Sequence, residues 1–280
     1  MRLHRTLGTV LASCALVVGL TGAVAHSSSP AASPEAFSSQ KTASKPTVVL
    51  VHGVFADSSG WNSTIKALQD LGYPVIAPAN PLRDLAGDSA YVSSVLKTIP
   101  GPVILVGHSY GGEVVTNAAR GNANVKALVY VAAFAPDQGE TALGLAEKFT
   151  GSRLPESLLV RTYPQPGAPD GHDGYIDPAK FHDVFAQDLP RNTTRVMAAA
   201  QRPGSLEGLG NASGVPAWKT LPSWYVIPTA DRVIPPAVQR FMAERAGSKV
   251  VEVKGASHVV MMSRTDSVVR QIQAAHRATR

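Results

Sequence analysis

Residues 102–112 read P-V-I-L-V-G-H-S-Y-G-G, and the rest of the chain can be arranged around them. Residues 103–106 are apolar and mostly β-branched, the pattern of a short strand buried on both faces. That run ends in Gly107-His108-Ser109-Tyr110-Gly111, a G-x-S-x-G pentapeptide, and residues 112–120 then carry apolar side chains at helical spacing. Strand, tight turn and helix in this order form the context of a nucleophile elbow. The turn holds its central residue in a strained conformation, and glycine on either side removes side chains that would strike the neighbouring strand and helix. Ser109 is thereby expected above the sheet edge, at a helix N-terminus, as a nucleophile.

Upstream, residues 47–51 read as a strand that ends at His52-Gly53-Val54-Phe55. A helix is expected over residues 61–71 and a second short strand over 74–77. Asp88 is expected to cap a helix reaching Ile99. Downstream, residues 125–133 form another buried strand. This alternation of strand and helix demands a parallel sheet covered on both faces. The rhythm breaks over residues 136–221, which hold proline-rich turns, helical pieces near 141–148, 178–187 and 193–201, and no convincing apolar strand. They are expected to form a helical cap over the carboxyl edge of the sheet. Sheet patterning resumes at residues 223–227 and 249–253, with helices from Pro236 to about residue 246 and over residues 265–276. The expectation is a mostly parallel sheet of about six strands, flanked by helices, with the cap inserted before the last two.

The N-terminus reads differently. Residues 1–25 combine Arg2 and Arg5, a largely apolar stretch and Ala23-Val24-Ala25, the layout of a secretory signal peptide with an A-x-A cleavage site. Leu11-Ala12-Ser13-Cys14 resembles a lipobox, but hydrophobicity continues past Cys14, which argues against lipid anchoring. The apolar stretch is short for a membrane span. Residues 26–46, rich in Ser, Ala and Pro, read as a disordered leader to a domain at 47–280. Cys14 is the single cysteine of the 280 residues, so an exported, processed chain has no disulfide and no thiolate nucleophile. The formal charge of +6 is scattered without runs of Lys or Arg, which excludes a nucleic-acid footprint. The Asp/His turn at residues 169–174 lacks metal-ligand spacing, so no metal is expected.

A serine hydroxyl needs a base within reach and an acid to orient that base. In open parallel sheets such groups gather beyond the carboxyl ends of the strands. Of the eight histidines, His52 and His258 stand at such ends with freedom to turn inward. His258, in Gly255-Ala256-Ser257-His258 after the last strand, is the expected base, and His52 is expected to be a structural hydrogen-bonder. Asp231, after the preceding strand, is the expected acid, with Asp137 as the competing position. The order Ser109, Asp231, His258 matches the order that accompanies this elbow. A developing oxyanion needs two donors. These are assigned to the backbone N–H of Tyr110 and to that of Val54, with Phe55 as the alternative to Val54.

Together H-G-V-F-A-D-S-S-G-W, G-H-S-Y-G-G, T-A-D-R-V-I-P-P and G-A-S-H resemble the α/β-hydrolase superfamily, across residues 46–275. Within it the chain is similar to small bacterial hydrolases of the plant methyl-esterase and hydroxynitrile-lyase branch. The resemblance implies an esterase or lactonase without cofactor, acting on a small-molecule ester. Hydroxynitrile lyases of that branch have threonine at the position of Gly53 and lysine at that of Val259, and haloalkane dehalogenases have aspartate at that of Ser109. These departures favour hydrolysis. Cofactor-free haloperoxidases use the same triad and form the second reading, and a non-catalytic receptor on this fold forms the third.

Overall fold

Strand after strand of β-branched and aliphatic side chains pairs in parallel, which is how such runs bury both faces. The computed structural model describes residues 45–280, which cluster as a single unit. The signal peptide and nearly all of the leader expected from the sequence lie outside the described residues. In chain order the elements begin with β1 (Thr47–Val51), α1 (Asn62–Asp70), β2 (Val75–Ile76) and α2 (Leu85–Lys97). The elbow follows as β3 (Val103–His108) and α3 (Tyr110–Ala118), then β4 (Val125–Val131). The insertion contains α4 (Ala142–Glu147), β5 (Leu158–Tyr163), β6 (Gly171–Ile176), α5 (Pro178–Phe185), α6 (Arg191–Ala200), β7 (Gly204–Ser205) and α7 (Leu206–Leu209). The chain closes with β8 (Ser223–Pro228), α8 (Pro236–Arg245), β9 (Lys249–Val253), α9 (Val260–Ser263) and α10 (Thr265–Ala278).

Six strands form the main sheet in the order β2-β1-β3-β4-β8-β9, every pair parallel. β3 and β8 are buried along their whole length, while edge strand β9 is largely exposed. Helix α1 packs on α10 and α2 on α3, one pair on each face. The expected α/β-hydrolase architecture is what the chain adopts. The loops after β1, β3, β8 and β9 all leave from the carboxyl edge of the sheet, so residues from four distant stretches of sequence share one rim.

Two local expectations are corrected. The cap of α2 is Asp84, whose carboxylate accepts from the Gly87 N–H at 2.7 Å. Asp88 instead turns inward and accepts from the Tyr110 hydroxyl at 3.0 Å. The insertion is also not purely helical: β5, β6 and β7 make a small antiparallel sheet. β5 is exposed on both faces, so it lacks the alternation that marks a half-buried strand. β6 looks like a turn because it contains two glycines, yet a Cβ at Gly171 would collide with the Tyr163 and Gln165 side chains that cover it.

Candidate active site

Ser109 has φ 54° and ψ −129°, a strained conformation for a residue with a side chain. The glycines around it make that turn possible. A Cβ at Gly107 would stand 2.5 Å from the Gly111 carbonyl oxygen, and one at Gly111 2.4 Å from that of Val51. Beneath the turn, the backbone N–H of Ser109 donates to the β4 end at Val131 and Ala132.

Loop 52–55 reaches the elbow from the neighbouring strand. A Cβ at Gly53 would lie 2.6 Å from the Ser109 Cβ and 2.9 Å from the Tyr110 nitrogen, so only glycine allows this approach. The Phe55 N–H is engaged by the carbonyl of Arg202 at 2.8 Å, which removes it as an oxyanion donor. Among the described residues no acceptor faces the N–H groups of Val54 and Tyr110. Of the two positions left open by the sequence, Val54 is thus the one with a free donor. Tyr110 presents its N–H at the start of α3, where the helix dipole adds to the attraction for negative charge. Its phenol points away, and burial beside Asp88 and Glu113 raises it far above the ordinary tyrosine range.

His52 is structural. Its Nε2 accepts from the Asn80 N–H at 3.0 Å, which fixes the proton on Nδ1, and Nδ1 donates to the Gly53 carbonyl at 2.9 Å. Burial pushes its pKa down to about 4, so it remains neutral and holds the shape of the loop.

Beyond β8 and β9 the structure joins the expected acid and base. His258 Nδ1 lies 2.8 Å from Asp231 Oδ2, with both side chains wholly buried. The carboxylate also accepts from the N–H groups of Val233 and Ile234 at 2.8 and 3.0 Å, and from Gln239 Nε2 at 2.8 Å. Four donors therefore fix its direction. Asp137, the competing position, is instead paired with Lys219 at 2.6 Å near the surface.

His108 ties the base to the elbow. Its Nε2 donates to the His258 carbonyl at 3.0 Å, and the two rings are 4.7 Å apart. Burial lowers the His108 pKa well below its usual value, with the nearby His258 adding to the effect, which suits a neutral donor to a carbonyl. The outward nitrogen of His258, Nε2, is buried and has no hydrogen-bond partner among the described residues, the Ser109 hydroxyl included. Such links are commonly loose until substrate tightens them.

The cap roofs this rim. Ser109 is 2% exposed and His258 0%. Phe185 of α5 stands 5.1 Å from the His258 ring, and Phe55 meets Phe185 edge-on at 6.2 Å. Behind Phe55 a small cleft of about 50 Å³ is lined by Met197 and Ala200 of the cap and by Val259 and Met261 of the core, among others. Gln239, His108 and Phe185 were not assigned to the site from sequence. Gln239 alone carried a signal, as a polar residue facing inward on α8 eight positions after the acid.

The alpha/beta hydrolase family model matches residues 48–271, which span the whole sheet and the cap. The chain belongs to the alpha/beta hydrolase family. This hydrolase is 28% identical over 183 residues to a carbendazim hydrolyzing esterase of Nocardioides sp. (strain SG-4G), covering 59% of this chain and 75% of that protein. It is 25% identical over 259 residues to an alpha-hydroxynitrile lyase of Arabidopsis thaliana, covering 81% of this chain and 95% of the relative. In structure it resembles polyneuridine aldehyde esterase, with TM-score 0.71 and 22% identity, over 82% of this chain and 98% of that one. The similarity to the plant methyl-esterase and hydroxynitrile-lyase branch noted in the sequence agrees with these relatives. Among the described residues no cluster of side chains is arranged to hold a metal ion, and no helix is long and apolar enough to cross a membrane.

Proposed function

We propose that this hydrolase is a serine esterase that cleaves small carboxylic esters or lactones through an acyl-enzyme. The observation that carries this reading is the buried His258–Asp231 pair, with Nε2 unpartnered among the described residues and the imidazole 4.7 Å from the ring of His108, the neighbour of Ser109 in the elbow. Ser109 Oγ attacks the ester carbonyl while His258 Nε2 takes its proton. Asp231 holds the imidazole in the required tautomer and stabilises the imidazolium. The carbonyl oxygen becomes an oxyanion between the N–H groups of Val54 and Tyr110. Each such donor lowers the barrier by ~3 kcal/mol. The imidazolium returns its proton to the leaving alcohol, and water then cleaves the acyl-serine by the same relay in reverse.

Ester hydrolysis is favoured over cyanohydrin cleavage because Gly53 has no side chain to set against the substrate and Val259 supplies no ammonium after the base. The esterase activities named for two of its relatives fit this reading. Residues 1–25 direct export, so the mature enzyme works outside the cytoplasm; N-terminal sequencing of secreted protein tests this.

The test of the chemistry is a panel of aliphatic, aryl and lactone esters with purified protein. Wild type hydrolyses members of the panel, and Ser109→Ala lowers kcat by at least about three orders of magnitude. Undiminished hydrolysis by a folded Ser109→Ala protein rules the mechanism out.

A further inference from the structure

We propose that the cap segment from Asp183 to Asp188 positions the catalytic acid and base, with Gln187 and Asp188 as the positioning residues. The inference rests on the esterase reading above. Asp231 and His258 stand on connecting loops, the most mobile kind of backbone, whereas proton relay requires alignment to a fraction of an ångström. Part of that alignment is internal to the core. The Gly255 N–H donates to Thr229 Oγ1 at 2.9 Å and the Ala230 N–H to the Ala256 carbonyl at 3.1 Å, which stitches the two loops together.

The remainder comes from the cap. Gln187 Nε2 donates to the carbonyl of Ala230 at 2.6 Å, and Arg232 donates to the carbonyl of Asp183 at 2.7 Å. The Ser257 N–H donates to Asp188 Oδ2 at 3.0 Å. The cap therefore holds the residue on each side of Asp231 and the residue just before His258. The same short segment carries Phe185, whose ring covers the imidazole.

Stability alone gives no reason for these side chains. Gln187 Oε1 and Asp188 Oδ1 are buried without a hydrogen-bond partner among the described residues, a cost that apolar side chains would avoid. What the two residues gain is grip on the loops of the acid and base. Seating the cap and aligning the pair are consequently one event: a cap displaced from this rim leaves Asp231 and His258 less well held.

Full-length Asp188→Ala, Asp188→Asn and Gln187→Leu proteins test this, with Arg83→Met as control. Arg83 pairs with Asp173 of the cap at 2.9 Å, and the other hydrogen bonds of Arg83 go to Asp88 and Pro203, so its loss loosens the cap without breaking a bond to the acid–base loops. The readouts are kcat and KM on a small activated ester, the rate of covalent capture by a fluorophosphonate, thermal stability, and the downfield Nδ1–H proton resonance of His258. Asp188→Ala and Gln187→Leu should each lower kcat and the capture rate by about tenfold or more at nearly unchanged KM, and broaden the resonance. Asp188→Asn keeps an oxygen for the Ser257 N–H and should restore all three. Arg83→Met should lower only the melting temperature. Should Asp188→Ala fail to fold, the contrast between Gln187→Leu and Asp188→Asn decides. A wild-type kcat and an unaltered resonance in Gln187→Leu or Asp188→Ala overturn the proposal, as does an equal loss in Arg83→Met. Wild-type protein that neither turns over esters nor reacts with the phosphonate overturns the esterase reading instead, and the resonance still judges the positioning.

Discussion

Replacing Gly53 with alanine sets a single methyl carbon against the elbow. An ideal Cβ at residue 53 stands 2.6 Å from the Ser109 Cβ, 2.8 Å from the His108 carbonyl oxygen and 2.9 Å from the Tyr110 nitrogen. Gly53 is not among the residues with positive φ, so the local backbone conformation accepts alanine and the obstacle is purely steric. None of the three opposing atoms lies at the free end of a flexible side chain, so loop 52–55 has to retreat. Restoring an ordinary 3.4 Å contact to Ser109 takes a shift of about 0.8 Å. The Val54 N–H moves with the loop, and a donor at ~2.9 Å from the oxyanion ends at ~3.7 Å, outside hydrogen-bonding range. Loss of one such donor is worth ~3 kcal/mol, or ~10²–10³-fold in kcat. KM should change little, because the lost interaction strengthens only as charge develops. Initial rates with an activated aryl ester measure the effect, and near-ultraviolet circular dichroism confirms folding. A folded Gly53→Ala enzyme with kcat within about threefold of wild type refutes the assignment of Val54 as a donor.

Tyr110→Phe should behave in the opposite way. It removes the hydroxyl that bonds to the buried Asp88 carboxyl, so stability falls by ~1–3 kcal/mol while kcat stays within about twofold, since only the backbone of residue 110 serves the reaction. Chemical denaturation and ester kinetics on the same sample separate the two effects. Gln239→Leu takes one donor from Asp231 Oδ2 and should reduce kcat about tenfold, equivalent to ~1.4 kcal/mol; unchanged turnover would mean that the other donors suffice. Glu113 is buried in α3 with neither carboxyl oxygen partnered among the described residues, and burial raises its pKa well above the ordinary glutamate value of 4.5. The native chain thus keeps a proton that the unfolded chain releases, so stability declines as pH rises past that value. Glu113→Met should remove that contribution to the decline and add ~1–3 kcal/mol at pH 8, as read from urea denaturation at pH 5 and pH 8.

The sheet was legible because its signal is local. Residues 103–106 and 223–227 are apolar runs bounded by turn residues, and such runs have few uses other than buried parallel strands. The elbow was legible for the same reason, since the steric need for Gly107 and Gly111 is written within five positions. His258 and Asp231 could be selected because topology sends every loop at a strand's carboxyl end to one rim, although nothing near either residue names its partner. What could not be read depends on contacts between remote residues. Asp88 reads as the cap of α2 until Tyr110, 22 positions beyond it, claims its carboxylate and leaves the cap to Asp84. The strands of the cap were hidden because β5 is exposed on both faces and β6 carries glycines where covering side chains press close. Val54 was separated from Phe55 only by Arg202, whose carbonyl arrives from the stretch between α6 and β7 of the cap.

The central claim is that Ser109 carries the acyl group between two half-reactions. Rapid acid quenching of the enzyme during turnover of an activated aryl ester, followed by peptide mass mapping, observes that intermediate directly. The expected result is one acyl group on the peptide containing Ser109, absent from Ser109→Ala and formed far more slowly in His258→Ala. Steady hydrolysis by wild type with the acyl group on another residue, or with that peptide unmodified at every quench time, contradicts the account.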